Sequence, residues 1–332
     1  MSSPSASPQV SVIIRSYNRL AALCELLDRL LSQRHDSFEI VVVDQSTRVT
    51  PALEAELTRR TADARVRLLR FPPLGGPRAR NEGVRASRGQ LLLFIDDDDL
   101  PASDTWIASH QANFADPECL GVTGRSIVEG GAQPPYRMMK RAEKMVMSLS
   151  WMGWQRPYAK VNVRKQVDTV HGGNVSLRRS AIERAGLWDE CTPIEDELSF
   201  NYRLRARMAP GEHLIFDPAA TMLRRFDVPG GMDKRYQRVT TFGRRVFTFM
   251  HHIVAHYLPV RFVLFYPAYY GLLYGVCVDW IWDDSQAHRT VSHKLWTALW
   301  FFLVLPFLWL YWLGQHVVRR LRHGPLVHEP RL

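Results

Sequence analysis

Four consecutive aspartates, Asp96 to Asp99, close the apolar run QLLLFI. Carboxylate oxygens so close together suit a hard divalent cation, Mg²⁺ or Mn²⁺, which bridges readily to a diphosphate. Without a cation four adjacent acids repel one another; the competing reading is an acidic turn in solvent. Two other apolar runs end in polar groups in the same manner. QVSVIIRSYN ends in Ser16, Tyr17 and Asn18, and FEIVVVD ends in Asp44. No G-x-G-x-x-G follows the first run and no G-x-x-x-x-G-K-[ST] occurs anywhere. The two commonest phosphate cradles are missing, which leaves the aspartates as the feature able to handle phosphate, through a metal.

The elements carrying these groups follow from periodicity. QVSVIIRSYN, FEIVVVDQST, VRLLRF and QLLLFIDDDD read as four β-strands, and the first, second and fourth are continuously apolar. Between them, LAALCELLDRLLSQ places Leu20, Leu23, Leu27, Leu30 and Leu31 at helical spacing. PALEAELTRRTA and PRARNEGVRAS give two further helices, the second opening after the Gly75-Gly76 turn. Strands alternating with helices predict an α/β fold with a mostly parallel central sheet covered on both faces. Ligands of such sheets bind beyond the carboxyl ends of the strands, where Tyr17, Asp44 and Asp96 to Asp99 fall.

The 332 residues carry 43 basic against 33 acidic side chains, a formal charge of +10. With 46% hydrophobic and 23% charged residues, a disordered or fibrous chain is excluded. Cys24, Cys119, Cys191 and Cys277 are scattered with no C-x-x-C pair, which argues against a disulfide scaffold or zinc site. The leader MSSPSASPQ has neither the charge nor the apolar stretch of a secretion signal. Near the other end, Leu295 to Gly314 runs 20 residues without a charge, and Phe262 to Val278 runs 17. Twenty helical residues cover a bilayer core of roughly 30 Å. Basic residues outside both stretches and a near-neutral loop between them favour a membrane hairpin with both ends cytoplasmic, the alternatives being a single span with the first stretch re-entrant or lying in the interface. The expected organisation is a leader at 1–9, a catalytic domain at 10–230 and a basic juxtamembrane linker at 231–257. A membrane hairpin at 258–316 and a basic tail at 317–332 complete it. Localisation at the cytoplasmic (inner) membrane, catalytic domain facing the cytoplasm, follows. Pro134 to Gln166 adds a net +7 mixed with Met and Trp, suited to an anionic membrane surface or a lipid-linked diphosphate. No nucleic-acid-binding motif accompanies the basic charge.

From about Val10 to Arg225 the chain resembles the family 2 inverting glycosyltransferases of the GT-A fold, in their bacterial form with C-terminal membrane segments. The motifs, in the family's order, are SVIIRSYNR, IVVVDQST, GGPRARNEGVRASRG, LLLFIDDDD, and GGNVSLRRSAIERAGLWDE followed by EDELSFNYRLR. The resemblance implies a sugar transferred, with inversion, from a UDP-, GDP- or dTDP-sugar to an acceptor hydroxyl on a lipid-linked or cell-envelope glycan. It places Ser16, Tyr17 and Asn18 against the nucleotide and Asp44 against its base, with Arg80 near the nucleotide or the acidic motif. The D-x-D element matches Asp96 and Asp98, with Asp98 the direct metal ligand; Asp97 and Asp99 share the same spacing and leave the register open. Asp97, Gly173 and Asn174 join the donor side, the Gly172-Gly173 pair allowing close backbone approach to the sugar.

Within the E-D pair, the resemblance makes Asp196 the general base and gives Glu195 a role at the acceptor site. Arg203, seven residues on, would orient Asp196 or bind phosphate. One position departs from the family. Where many metal-dependent members carry a histidine after the D-P pair, this chain has Arg224, which cannot ligate a metal but can bind diphosphate. His171 and His213 are the other histidines considered for that role. Two rival functions remain: a sugar nucleotidyltransferase, which would want a Gly-rich loop with a lysine near the first strand, and a non-enzymatic membrane scaffold.

Overall fold

The computed structural model describes residues 8–128, 143, 146–149, 151, 155–157, 159–190, 196–225, 228, 260 and 290–323. The chain divides into two compact units. The first comprises 1–149, 155–234 and 329–332; the second comprises 150–154 and 235–328.

The first unit opens with β1 (Val10–Ser16), α1 (Leu20–Leu31), β2 (Phe38–Asp44), α2 (Pro51–Thr61), β3 (Val66–Arg70), α3 (Gly76–Ala86) and β4 (Leu91–Asp96). These four strands pair in parallel, in the order β3-β2-β1-β4. The chain therefore leaves β1 first to one side and later to the other, which opens a crevice at the carboxyl ends of β1 and β4. Register places Ser16 beside Asp44 and Arg15 beside Asp96.

Alternation along the strands explains why helices cover both faces. On β4, Leu91, Leu93 and Ile95 join a core with Val12, Ile14 and the α1 leucines. Leu92 and Phe94 point the other way, into a second core with Ile13, Val84 and Trp188.

Beyond β4 the expectation of a mostly parallel sheet is corrected. The next elements are β5 (Asp99–Pro101), α4 (Trp106–Ala112), a 3₁₀ turn, β6 (Cys119–Val128), β7 (Val146–Leu149), β8 (Gln155–Pro157) and β9 (Lys165–Val167). Then come β10 (Asn174–Arg178), α5 (Arg179–Ala185), α6 (Asp196–Ala206) and β11 (His213–Arg224). β10 inserts antiparallel between β4 and β6, β11 runs parallel to β6, and β5 and β9 pair antiparallel with β11. The nine-stranded sheet is mixed. Apolar residues on both faces specify burial but not strand direction, and here the connection from β4 to β10 runs through β6 to β9 before returning.

In the second unit the described residues form one helix, α7 (Val291–His323), whose exposed side chains include Trp296, Phe302, Phe307 and Leu310. Among the described residues no helix is long and apolar enough to cross a membrane. The expected two-span hairpin thus finds no support. Its first limb, 262–278, lies outside the described residues, as does about half of the basic stretch 134–166.

Candidate active site

The run of four aspartates divides at a turn. Asp96 ends β4, Asp97 and Asp98 form the turn, and Asp99 opens β5. Asp97 is directed back at β1: Ser16 Oγ donates to it at 2.8 Å and Arg19 Nη1 lies at 3.0 Å. The other three converge. Oxygens of Asp96, Asp98 and Asp99 all lie within 4.8 Å of one another, a spacing that fits one hard cation bound by carboxylates. Asp96, Asp98 and Asp99 face the common point while Asp97 does not, an arrangement compatible with a D-x-D element at Asp96 and Asp98.

Arginines surround this cluster. Arg15 Nε meets Asp96 at 3.2 Å, Arg19 Nη1 meets Asp98 at 2.6 Å, and Arg224 Nη2 approaches Asp99 at 3.5 Å. Burial alone would push the Asp96 carboxyl up, but Arg15, Arg80 and Arg224 outweigh it and hold Asp96 well below the usual carboxylate range. For Asp98 and Asp99 burial wins, reinforced by the neighbouring acids; Asp99 rises to about 7. With Asp97 counted, four acids face three arginines at this turn, and a divalent cation would supply the missing positive charge.

A second acidic centre opens α6. Asp196 and Glu197 occupy its first turn, where the helix dipole favours anions. Arg80, from α3, reaches both: Nη1 bonds Asp196 Oδ2 at 2.6 Å and Nη2 bonds Glu197 Oε1 at 3.3 Å. Nη2 also donates to the Gly172 carbonyl, and the guanidinium lies 5.1 Å from the centre of the Trp188 ring. Trp188 in turn stacks on Phe200 with ring centres 4.4 Å apart. The neighbouring Asn81 clamps the same loop, exchanging two hydrogen bonds with the Trp188 backbone at 2.9 and 3.0 Å. The R-N pair of the sequence is therefore one device: Asn81 fixes Trp188, and Trp188 backs Arg80. Burial and the adjacent Glu197 raise the Asp196 carboxyl, whereas Arg80 and Arg15 overcome burial and lower that of Glu197.

Gly172 and Gly173 separate the two centres. A Cβ on Gly172 would lie 1.8 Å from Glu197 Oε1, and one on Gly173 would lie 2.7 Å from Asp96 Oδ2. No other residue lets carboxylates crowd the backbone from both sides. His171 accepts a hydrogen bond from the Gly173 N–H at its Nδ1, and burial lowers its pKa to about 4, so it is neutral.

The other expected site residues are spread between cleft and scaffold. Asn18 adopts a left-handed backbone (φ 57°) and its Oδ1 accepts from the Thr47 and Arg48 amides at 2.9 and 3.0 Å. Asp44 is buried at the end of β2, with Oδ1 accepting from Ser46 N at 2.9 Å. Tyr17 lies between Ser16 and Asn18 on this rim. Asn174 is fully buried, and its amide is committed inside the fold to Trp106, His110, and the Arg125 and Ala220 carbonyls. Arg203 bonds the Ala185 and Ser199 carbonyls, closing the C-terminus of α5. His213 lies at the start of β11, paired with Asp116. Glu195 lies outside the described residues; the acid placed beside Asp196 is Glu197. Sequence reasoning missed Glu197 and Arg15, although the E-D-E triplet carried the signal for the first.

Four parallel strands with a crevice at the β1/β4 switch, extended by an antiparallel insertion, and two acidic centres at that crevice define the GT-A class of fold. A mannosyltransferase from Pyrobaculum calidifontis, solved with GDP-Man and Mn²⁺, has the same fold with a TM-score of 0.52 at 17% identity, over 96% of this chain and 88% of that one. GalNAc-T7, solved with UDP, GalNAc and Mn²⁺, also gives 0.52, at 16% identity over 75% of this chain and 51% of its own. Residues 11–186 match the family described as Glycosyl transferase family 2, and the chain belongs to that family. An uncharacterised glycosyltransferase of Haemophilus influenzae is 35% identical over 91 residues, 27% of this chain and 29% of its own length. The succinoglycan biosynthesis protein ExoO of Rhizobium meliloti is 35% identical over 99 residues, 29% of this chain and 27% of its own. The chain thus spans less than a third of the length of these two relatives.

Proposed function

We propose that the protein transfers a sugar, with inversion, from a nucleoside-diphosphate sugar to an acceptor hydroxyl of a glycan or lipid-linked glycan. The observation carrying this reading is the pair of acidic centres, one with three carboxylates spaced to hold a cation and one with a carboxylate placed to take a proton, on either side of Gly172-Gly173. Asp44 and the Asn18 turn hold the nucleoside, and Arg224 faces the diphosphate. A divalent cation on Asp96, Asp98 and Asp99 would neutralise charge on the leaving diphosphate. Asp196 accepts the proton of the acceptor hydroxyl as its oxygen bonds the anomeric carbon and the bond to the diphosphate breaks. The elevated Asp196 pKa suits a group that must both take and release a proton near neutrality. The structural neighbours solved with Mn²⁺ and nucleotide or nucleotide-sugar support the cation and the donor class.

Attachment to the cytoplasmic membrane, catalytic unit facing the cytoplasm, is part of the proposal. The apolar side chains exposed along α7, followed by Arg319, Arg320 and Arg322, support it. The test is a panel of UDP-, GDP- and dTDP-sugars with Mn²⁺ or Mg²⁺, read as binding and slow hydrolysis by the detergent-solubilised full chain. One donor class should bind and release free sugar in a metal-dependent way. Binding of none, or formation of a nucleotide-sugar from sugar phosphate and nucleoside triphosphate, would overturn the reading.

A further inference from the structure

Arg15 bonds the first acidic centre, and its charge bears on the second as well. It is the penultimate residue of β1, in register with Asp96, and its Nε bonds Asp96 Oδ1 at 3.2 Å. Among the described residues its guanidinium makes no other hydrogen bond. The side chain is 27% exposed and lines a hollow with Arg80, Phe94, Asp96 and Gly172. Gly76, at the start of α3, makes room for it: a Cβ there would lie 2.3 Å from Arg15 Nη1. Arg80, by contrast, is 3% exposed, and both its Nη atoms are engaged, by Asp196, Glu197 and Gly172. Of these two, Arg15 is the more exposed, and neither of its Nη groups has a hydrogen-bond partner among the described residues.

The acid it holds is one of the three that converge on the cation position. A divalent cation held by Asp96, Asp98 and Asp99 would compete with Arg15 for Asp96, and a guanidinium fork freed from that bond matches a phosphate. We propose that Arg15 is a diphosphate-binding residue kept in place by Asp96 and released to the nucleotide when a divalent cation takes Asp96. The proposal rests on the donor-site reading above and assigns Arg15 opposite effects on the two ligands: it competes with the metal and cooperates with the nucleotide.

The experiment titrates the full chain with Mn²⁺ alone, then with UDP, GDP and dTDP at saturating Mn²⁺, for the parent, Arg15→Met and Arg15→Lys. Arg15→Met should bind Mn²⁺ alone more tightly by about threefold or more. It should bind the parent's preferred nucleotide about tenfold more weakly or worse, the loss expected for a charge-assisted fork. Arg15→Lys should fall between on nucleotide. Weakening of both ligands together would show a merely structural residue and overturn the proposal, as would unchanged nucleotide affinity. A parent that binds no nucleotide with Mn²⁺ would overturn the donor-site reading itself. If Arg15→Met fails to fold, Arg15→Lys carries the test, with unchanged affinity for both ligands as the contradicting result.

Discussion

The two acidic centres are built from the same materials and end in opposite states. At the β4–β5 turn, four acids face three arginines from three different segments, and three carboxylates crowd to within 4.8 Å. At the start of α6, two acids face one buried arginine that is held on its own side by Trp188 and Gly172. The first arrangement has excess negative charge and several loosely attached cations, so a divalent ion can enter by exchange. The second, two acids on one arginine, carries the same formal excess but is closed by Arg80, so it can exchange little but a proton. Charge count alone does not separate a metal site from a base; the difference lies in how many partners must let go.

The largest effect should come from breaking the second centre. Asp196→Asn keeps the shape and the Arg80 contact but cannot accept a proton, and transfer should fall by about two orders of magnitude or more. Loss of donor affinity on the same scale would move Asp196 into the donor site.

Arg80→Met tests whether the arginine sets the state of that centre. It leaves the buried Asp196 and the partly buried Glu197 without their cation and should cost about 3–5 kcal/mol of stability, measured by denaturant unfolding. Ionised Asp196 is the active form, so transfer should rise with pH in the parent. Removing Arg80 raises the Asp196 pKa further and should move that rise to higher pH. An unshifted profile would contradict the assignment.

Within the first centre, Asp98→Asn should weaken Mn²⁺-dependent nucleotide binding about tenfold or more, since a metal ligand is lost. Asp97→Asn, directed at Ser16 and Arg19, should change metal affinity much less and be felt mainly as a lower melting temperature. Equal effects on metal binding would undo the division at the turn.

The smallest effect is expected at the far end of the chain. A chain ending at Arg245 should bind nucleotide like the parent, because Asp44, Asp96 to Asp99 and Asp196 all lie before it. Transfer to a lipid-linked acceptor should drop if, as proposed, membrane attachment raises the local acceptor concentration. Undiminished transfer would remove α7 from function.

Much of this was legible in the sequence because strand ends are punctuated by chemistry. Ser16, Asp44 and Asp96 stop apolar runs, and the parallel register brings Ser16 to Asp44 and Arg15 to Asp96. What was not legible depended on direction and competition. NVSLR reads the same in a parallel or antiparallel strand, so β10 could not be oriented from its residues. Gly-Gly-Asn resembled a ligand-facing loop, yet the Asn174 amide serves Trp106 and His110, and the glycines admit the protein's own carboxylates. Arg15 looked like one basic residue among many because nothing local tells which acid a long side chain will reach.

The most direct test of the division between the centres is calorimetric titration of nucleoside diphosphate, at saturating Mn²⁺, into Asp196→Asn and Asp98→Asn side by side. Parent-like affinity for Asp196→Asn, with binding weakened about tenfold or more for Asp98→Asn, is the predicted result. Equal loss in both variants, or full affinity in Asp98→Asn, would contradict it.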